Sequence, residues 1–237
     1  MFIVGFPAGA FAANCFVVAP SPGGDCIVID PGLDALDSVE EILAEHRLNP
    51  VGVLATHGHA DHVWSVREIC AARGIPAYIH ADDRYLLADP LAGVSGETQA
   101  MLRQLVPPDA QFGEPADVRE VEDGQRLDVA GLEIEVIGAP GHTPGSVLFR
   151  LAGDEDRPPI VFTGDVLFEG SIGRTDLPRG DTEQMMASLA NRVLTMDDTT
   201  VVLPGHGEAT EIGRERATNP FLLQLGASAA DGPGASR

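Results

Sequence analysis

Thr56-His57-Gly58-His59-Ala60-Asp61-His62 stands directly after the apolar run Val51-Gly-Val-Leu-Ala55, and its reading decides that of the whole chain. The chain has 7 histidines in 237 residues, and three of them fall inside this one segment. In an extended stretch side chains alternate, so His57 and His59 point the same way and can grip one cation. Asp61 and His62 fall where helical spacing begins (Val63, Val66, Ile69 and Cys70, up to Gly74) and aim elsewhere. One short loop can therefore serve two metals.

Three further segments have the same form, an apolar strand running into a Gly-rich turn that carries one His or Asp. They are Ala139-Pro-Gly-His142-Thr-Pro-Gly145, Phe162-Thr-Gly-Asp165 and Leu203-Pro-Gly-His206-Gly207. Singly each reads as an ordinary turn; together they look like strand ends delivering ligands to one edge of a layered sheet. His46 and His80 lack this context and read as structural or surface residues.

Outward from these turns, strands are expected at 2–6, 14–19, 26–30, 51–55, 77–80, 132–137, 147–151, 160–162 and 200–203. Helices are expected at 36–48, 61–73, 98–106, 182–194 and 212–218. The alternation of strand and helix points to sheets with helices on their faces. The weakly patterned stretch 89–115 reads as an insertion over the mouth of the site, and the residues from 223 onward as a disordered tail.

Composition narrows the function. Acidic residues number 36 against 15 basic ones, all arginine, for a formal charge of −21. Such a field repels polyanions, so nucleic acid is not an expected partner. Gly5, Pro7, Gly9 and Asn14 interrupt the first apolar run, which has no basic flank, so neither a signal peptide nor a membrane anchor is expected. Cys15, Cys26 and Cys70 are odd in number and lack Cys-x-x-Cys spacing, so they read as reduced core residues in a cytoplasmic protein.

The pattern resembles the metallo-β-lactamase fold over residues 1–222. The resemblance implies a four-layer αββα sandwich, two mixed sheets flanked by helices, with the site at one edge. It implies His57, His59 and His142 as ligands of one metal, Asp61, His62 and His206 of a second, and Asp165 as the bridge. Asp30, in Ile29-Asp-Pro-Gly32, and Thr56 are expected to support the histidine loop. The donor set suits two divalent cations, zinc first, with iron or manganese able to take the same places. Metals about 3.5 to 4 Å apart can share a hydroxide nucleophile, which Asp61 is expected to orient.

Within the family, Asp165 speaks against the β-lactamases that place cysteine there, and His59 against the di-iron flavoproteins. The stretches Gly164–Pro178 and Gly205–Gly213 are similar to short glyoxalase II-like proteins, implying hydrolysis of a small S-2-hydroxyacyl thioester. Gly173-Arg-Thr-Asp176 is also similar to persulfide dioxygenases, which would use His57, His142 and Asp165 on one iron. A metal-binding module without turnover is the third reading. The sequence stops about where the helical glutathione-binding domain of full-length glyoxalase II would start, so contacts from such a domain are not expected. Arg174 is a candidate to pair with a substrate carboxylate, its alternative being an ion pair with Asp176 or Asp181. The thiol carrier and the oligomeric state stay open.

Overall fold

The alternation of apolar residues along each strand separates three cores. A computed structural model of the chain describes residues 1–105 and 113–230. One sheet runs β1 (Phe2–Ala8), β2 (Ala13–Ala19), β3 (Asp25–Ile29), β4 (Asn49–Leu54), β5 (Ala77–His80) and β6 (Val118–Val121) in spatial order. Its first three strands are antiparallel and β3 to β6 parallel. The other sheet runs β7 (Arg126–Val129), β8 (Leu132–Gly138), β9 (Val147–Leu151), β10 (Ile160–Gly164), then β13 (Val201–Pro204) and β14 (Thr210–Glu211). Between β10 and β13 lies a small hairpin, β11 (Leu167–Phe168) and β12 (Ser171–Ile172).

Ile27, Ile29, Leu54, Phe149 and Phe162 point between the sheets, where the Phe16 and Phe162 rings meet edge to face at 5.2 Å. Their neighbours Val28 and Val53 point outward onto α1 (Ala35–His46) and, beyond the short α2 (Ala60–Val63), onto α3 (Val66–Arg73). Leu148, Val161 and Val202 face the opposite layer, with Met185 of α4 (Thr182–Ser188) and Ile212 of α5 (Ile212–Thr218). A period of two in strands buried on both faces thus produces the four layers. The expected αββα sandwich of two mixed sheets flanked by helices is the fold observed.

Four details differ from the expectation. The helix read over 61–73 is interrupted after Val63, where Ser65 Oγ donates to the Gly32 carbonyl at 2.7 Å. The helix read over 182–194 ends in a π-turn, Leu189–Val193. β6 and β7 went unread because each is the edge of its sheet, where Arg119, Glu120, Arg126 and Asp128 break the apolar signal. The helix expected around 98–106 spans Gly96–Leu105, Val106 lying outside the described residues.

The boundary read at residue 222 falls inside a helix, Pro220–Ala230. Pro220 suits a first helical turn, and Asn219 Oδ1 accepts the Phe221 amide at 3.1 Å. Leu222 is buried with Leu189, Val193 and Met196. Residues 223–230, expected to be disordered, continue this helix, with Leu225 packed beside Leu222, while residues 231–237 lie outside those described. Leu222→Asp should cost about 2 to 5 kcal/mol in a denaturant melt, as loss of a buried leucine does. Leu223→Asp, at a position 49% exposed, should change the midpoint little.

Candidate metal centre

β3 and β4 are parallel, and so are β10 and β13; β8 runs the same way as β10 because both are antiparallel to β9. The C-terminal ends of these strands supply Asp30, the His57–His62 segment, His142, Asp165 and His206. Sequence-distant side chains converge here because the strands that carry them agree in direction. Three groups of ligand atoms, each within 4.8 Å, result: His57 with His59 and His142; His57 with His62 and Asp165; Asp61 with His62 and His206. All seven residues expected at the site are therefore together. Asp165 lies between the others, its carboxylate 3.3 Å from His62 Nε2, 3.5 Å from His142 Nε2 and 3.6 Å from His206 Nε2.

Whether this cluster suits cations is decided by its unsatisfied atoms. Buried His57 Nε2, His59 Nε2, His62 Nε2 and Asp165 Oδ1 have no hydrogen-bond partner among the described residues. Leaving one such group unpaired costs about 1 to 3 kcal/mol. Cations would satisfy His57 Nε2, His62 Nε2 and Asp165 Oδ1, while His59 presents its Nδ1 to the cluster, 2.8 Å from His142 Nε2, and the residues present fit a pair. On three of the rings the other nitrogen is already held. His62 Nδ1 is 3.1 Å from Asp30 Oδ2, His57 Nδ1 3.1 Å from Thr56 Oγ1, and His142 Nδ1 donates to the Arg174 carbonyl at 2.7 Å. Each contact turns the remaining nitrogen toward the cluster.

Asp30 also accepts the Thr56 amide at 2.7 Å and the Thr56 hydroxyl at 2.6 Å, so it ties the histidine loop to the end of β3. The sequence reading named Asp30 and Thr56 as supports of this loop. It missed two others. Asn14 Nδ2 donates to the carbonyls of Pro204 and Gly207, holding the turn that presents His206. Asp83, fully buried, accepts from Gly58, Thr143 and Gly145. Asn14 had been read only as an interruption of an apolar run, and nothing in Ala81-Asp-Asp-Arg84 distinguishes a buried aspartate from its exposed neighbour.

Electrostatically the cluster has two halves. Burial pushes His59 down to about 3, with His142 adding to the effect, and burial with the surrounding imidazoles pushes His57 well below the ordinary range. These rings are neutral, as ligands must be. At His62 burial alone would lower the pKa, but Asp165 and Asp61 outweigh it and the result is a rise. His206 is raised against burial by Asp61 and Asp165, while the Asp61 and Asp165 carboxyls, despite burial, are held below their usual range by His62. The two carboxylates thus favour the charged forms of His62 and His206, the balance of charge that a cation would otherwise supply.

Two glycines leave room for this crowding. A Cβ on Gly173 would sit 1.7 Å from the Asp165 carbonyl oxygen, and one on Gly205 would sit 2.3 Å from Asp165 Oδ1 and 2.8 Å from His62 Cε1. Gly205→Ala should therefore reduce the metal content of the purified protein, measured by elemental analysis, more than it lowers the melting temperature of the chelator-treated protein. An unchanged metal content would show that Asp165 and His62 yield freely to the methyl group.

Beside the cluster lies a cavity of about 220 Å³ walled by Phe11, Val94, Thr98, Leu102, Arg174 and Leu177. The insertion expected over the mouth of the site does contribute its wall, through Val94, Thr98 and Leu102. Arg174 reaches this cavity while its guanidinium bridges both oxygens of Asp176, at 2.6 and 2.8 Å. A larger groove of about 610 Å³ opens along β1 and β13, lined by Ile3, Phe6, Phe16 and Leu203, with Glu208 its one charged lining residue.

The sequence model of the metallo-beta-lactamase superfamily matches residues 8–206. The hydroxyacylglutathione hydrolase GloC of Haemophilus influenzae is 34% identical over 223 residues, covering 91% of this chain and 95% of that protein. Among solved structures, TTHA1623 in a di-iron-bound form is similar at a TM-score of 0.75 and 36% identity, covering 94% of this chain and all (100%) of that one. The BLEG-1 B3 metallo-beta-lactamase is similar at a TM-score of 0.80 and 33% identity, covering 93% of this chain and 99% of that one. Sheet order, converging strand ends and these likenesses agree: the chain belongs to the metallo-beta-lactamase superfamily.

Proposed function

We propose that this metallo-hydrolase is binuclear and cleaves S-2-hydroxyacyl thioesters to a hydroxy acid and a free thiol. The observation that carries the reading is the completeness of the cluster, two three-residue groups with Asp165 between them, on the floor of an apolar-walled cavity. His57, His59 and His142 would hold one cation and Asp61, His62 and His206 the other, with Asp165 shared. Zinc suits these donors, and the di-iron state of TTHA1623 makes iron the alternative to measure. When bound, such a pair supplies acidified water and Lewis-acid polarisation of a carbonyl oxygen.

The chain's own groups do the rest. Asp61, a carboxylate 3.3 Å from His206 and 3.7 Å from His62, lines the cavity and is placed to orient the attacking water. Phe11, Val94, Leu102 and Leu177 exclude bulk water and accommodate a small acyl group. Water adds to the carbonyl carbon, the C–S bond breaks, and the departing thiolate takes the proton that the water releases. The likeness to GloC supports the thioester as substrate.

A substrate small enough for this cavity, a net charge of −21 and three unpaired buried cysteines fit a cytoplasmic enzyme acting on small molecules rather than nucleic acid. Among the described residues no helix is long and apolar enough to cross a membrane.

The test combines metal analysis with activity. The reading expects close to two metal ions per chain, together with hydrolysis of S-lactoylglutathione or another hydroxyacyl thioester. Asp165→Ala should lower kcat/KM by roughly 100-fold or more, about 3 kcal/mol of transition-state stabilisation. One iron per chain with oxygen uptake on a thiol persulfide would replace it by a sulfur dioxygenase. Turnover of a β-lactam alone would align the chain with BLEG-1, and bound metal with no turnover of any of these would make it a binding module.

Arg174 adds a specificity test. The pair with Asp176 is exposed and therefore weakly held, so a substrate carboxylate can compete for the guanidinium. Arg174→Ala should raise KM for an anionic thioester several-fold more than for a neutral one, and equal effects would remove this role.

A further inference from the structure

Asp83 lies at the end of a single 3-10 turn, Ala81–Asp83, that follows β5, and it is fully buried. Its Oδ2 accepts the Gly58 amide at 2.9 Å and the Thr143 hydroxyl at 2.6 Å, and its Oδ1 accepts the Gly145 amide at 3.0 Å. Thr143 is itself fixed, because its amide donates to Ser146 Oγ at 3.1 Å while the two hydroxyls lie 2.8 Å apart. Gly58 sits between His57 and His59, and Thr143 directly follows His142. One carboxylate therefore ties together the two loops that carry all three histidines of one group, without touching any of their rings.

The other group is held differently. His62 is braced by Asp30, and the turn carrying His206 by Asn14. The backbone hydrogen bond from Val147 to the Thr56 carbonyl, 2.9 Å, also joins the two histidine loops, but at the base, one residue before His57. Closer to the rings, where small displacements alter the spacing of ligand atoms and His59 Nδ1 lies 2.8 Å from His142 Nε2, the tie supplied from outside the cluster is Asp83. An uncharged amide could not replace it. An asparagine would turn an NH2 toward one of three N–H or O–H donors and leave that donor unpaired.

We infer that Asp83 is a positioning residue that sets the affinity of the His57–His59–His142 half of the centre separately from the Asp61–His62–His206 half. This rests on the two-cation reading above, and it adds to that reading a residue with its own measurable effect. Asp83 is linked to the second half only indirectly, through the shared histidine loop, where Asp30 and Thr56 already hold the backbone, and through His142 to the shared Asp165 at 3.5 Å.

The experiment titrates the chelator-treated full chain with zinc by calorimetry, and with cobalt(II) by visible absorption, for the unaltered protein, Asp83→Asn and Thr143→Val. The unaltered protein is expected to show two binding events. Both variants should weaken one event by roughly 10- to 100-fold, as loss of a ligand-orienting partner does, shift the cobalt bands assigned to it and leave the other event in place. Thr143→Val keeps the shape of the side chain and decides the matter alone if Asp83→Asn does not fold. Equal weakening of both events would overturn the inference, as would a lowered melting temperature with both affinities intact; either leaves the two-cation reading standing. An unaltered protein that takes up no metal would overturn both.

Discussion

Four buried imidazoles and two carboxylates share one small space at the edge of the sandwich, and such a crowd is stable only when its charges and lone pairs are matched. The rest of the molecule can be understood as the frame that holds it. Strands from both sheets end there in the same sense, glycines stand where a side chain would intrude, and the hydrogen bonds that leave the cluster are taken up by Asp30, Thr56 and the Arg174 carbonyl. The fold's cores supply the stiffness: Phe149 and Phe162 between the sheets keep the two sets of strand ends from drifting apart.

Much of this was legible in the chain because the signals are local. A buried strand is a short apolar run, a strand end is a Gly or Pro turn, and a ligand is a His or Asp in that turn. Hence the seven converging residues and the inner strands could be named from their neighbours in sequence. Direction along the sheet, which makes His57 and His206 meet, is nonlocal, and only the repetition of the same turn hinted at it.

What was not legible failed for physical reasons. Edge strands β6 and β7 carry charges because half of their surface meets water, so their alternation is masked. Asp83 looks like Asp82 in sequence; burial separates them, and burial depends on the loops that close over it. The last helix reads as a small-residue tail because its anchoring contacts are two leucines, Leu222 and Leu225, set against a cluster assembled from sequence-distant residues. Arg174 lies between these cases: its neighbourhood with Asp176 was foreseeable from spacing, its place on the cavity wall was not.

The wall of the cavity belongs to a small cluster of its own, Ala60, Leu91, Val94 and Leu102 with Phe11 and Trp64 packed on it, apart from the three cores that hold the sheets. The segment from Leu91 to Leu102 contributes no ligand and no strand, yet it rests directly on the chemistry beneath: a Cβ on Gly93 would sit 2.8 Å from His59 Cδ2, and Leu91, Val94 and Leu102 pack with Ala60 beside Asp61. Selection on different compounds can therefore act on the cavity-facing positions Val94, Thr98 and Leu102, while Gly93 limits how far that wall can change without shifting a ligand.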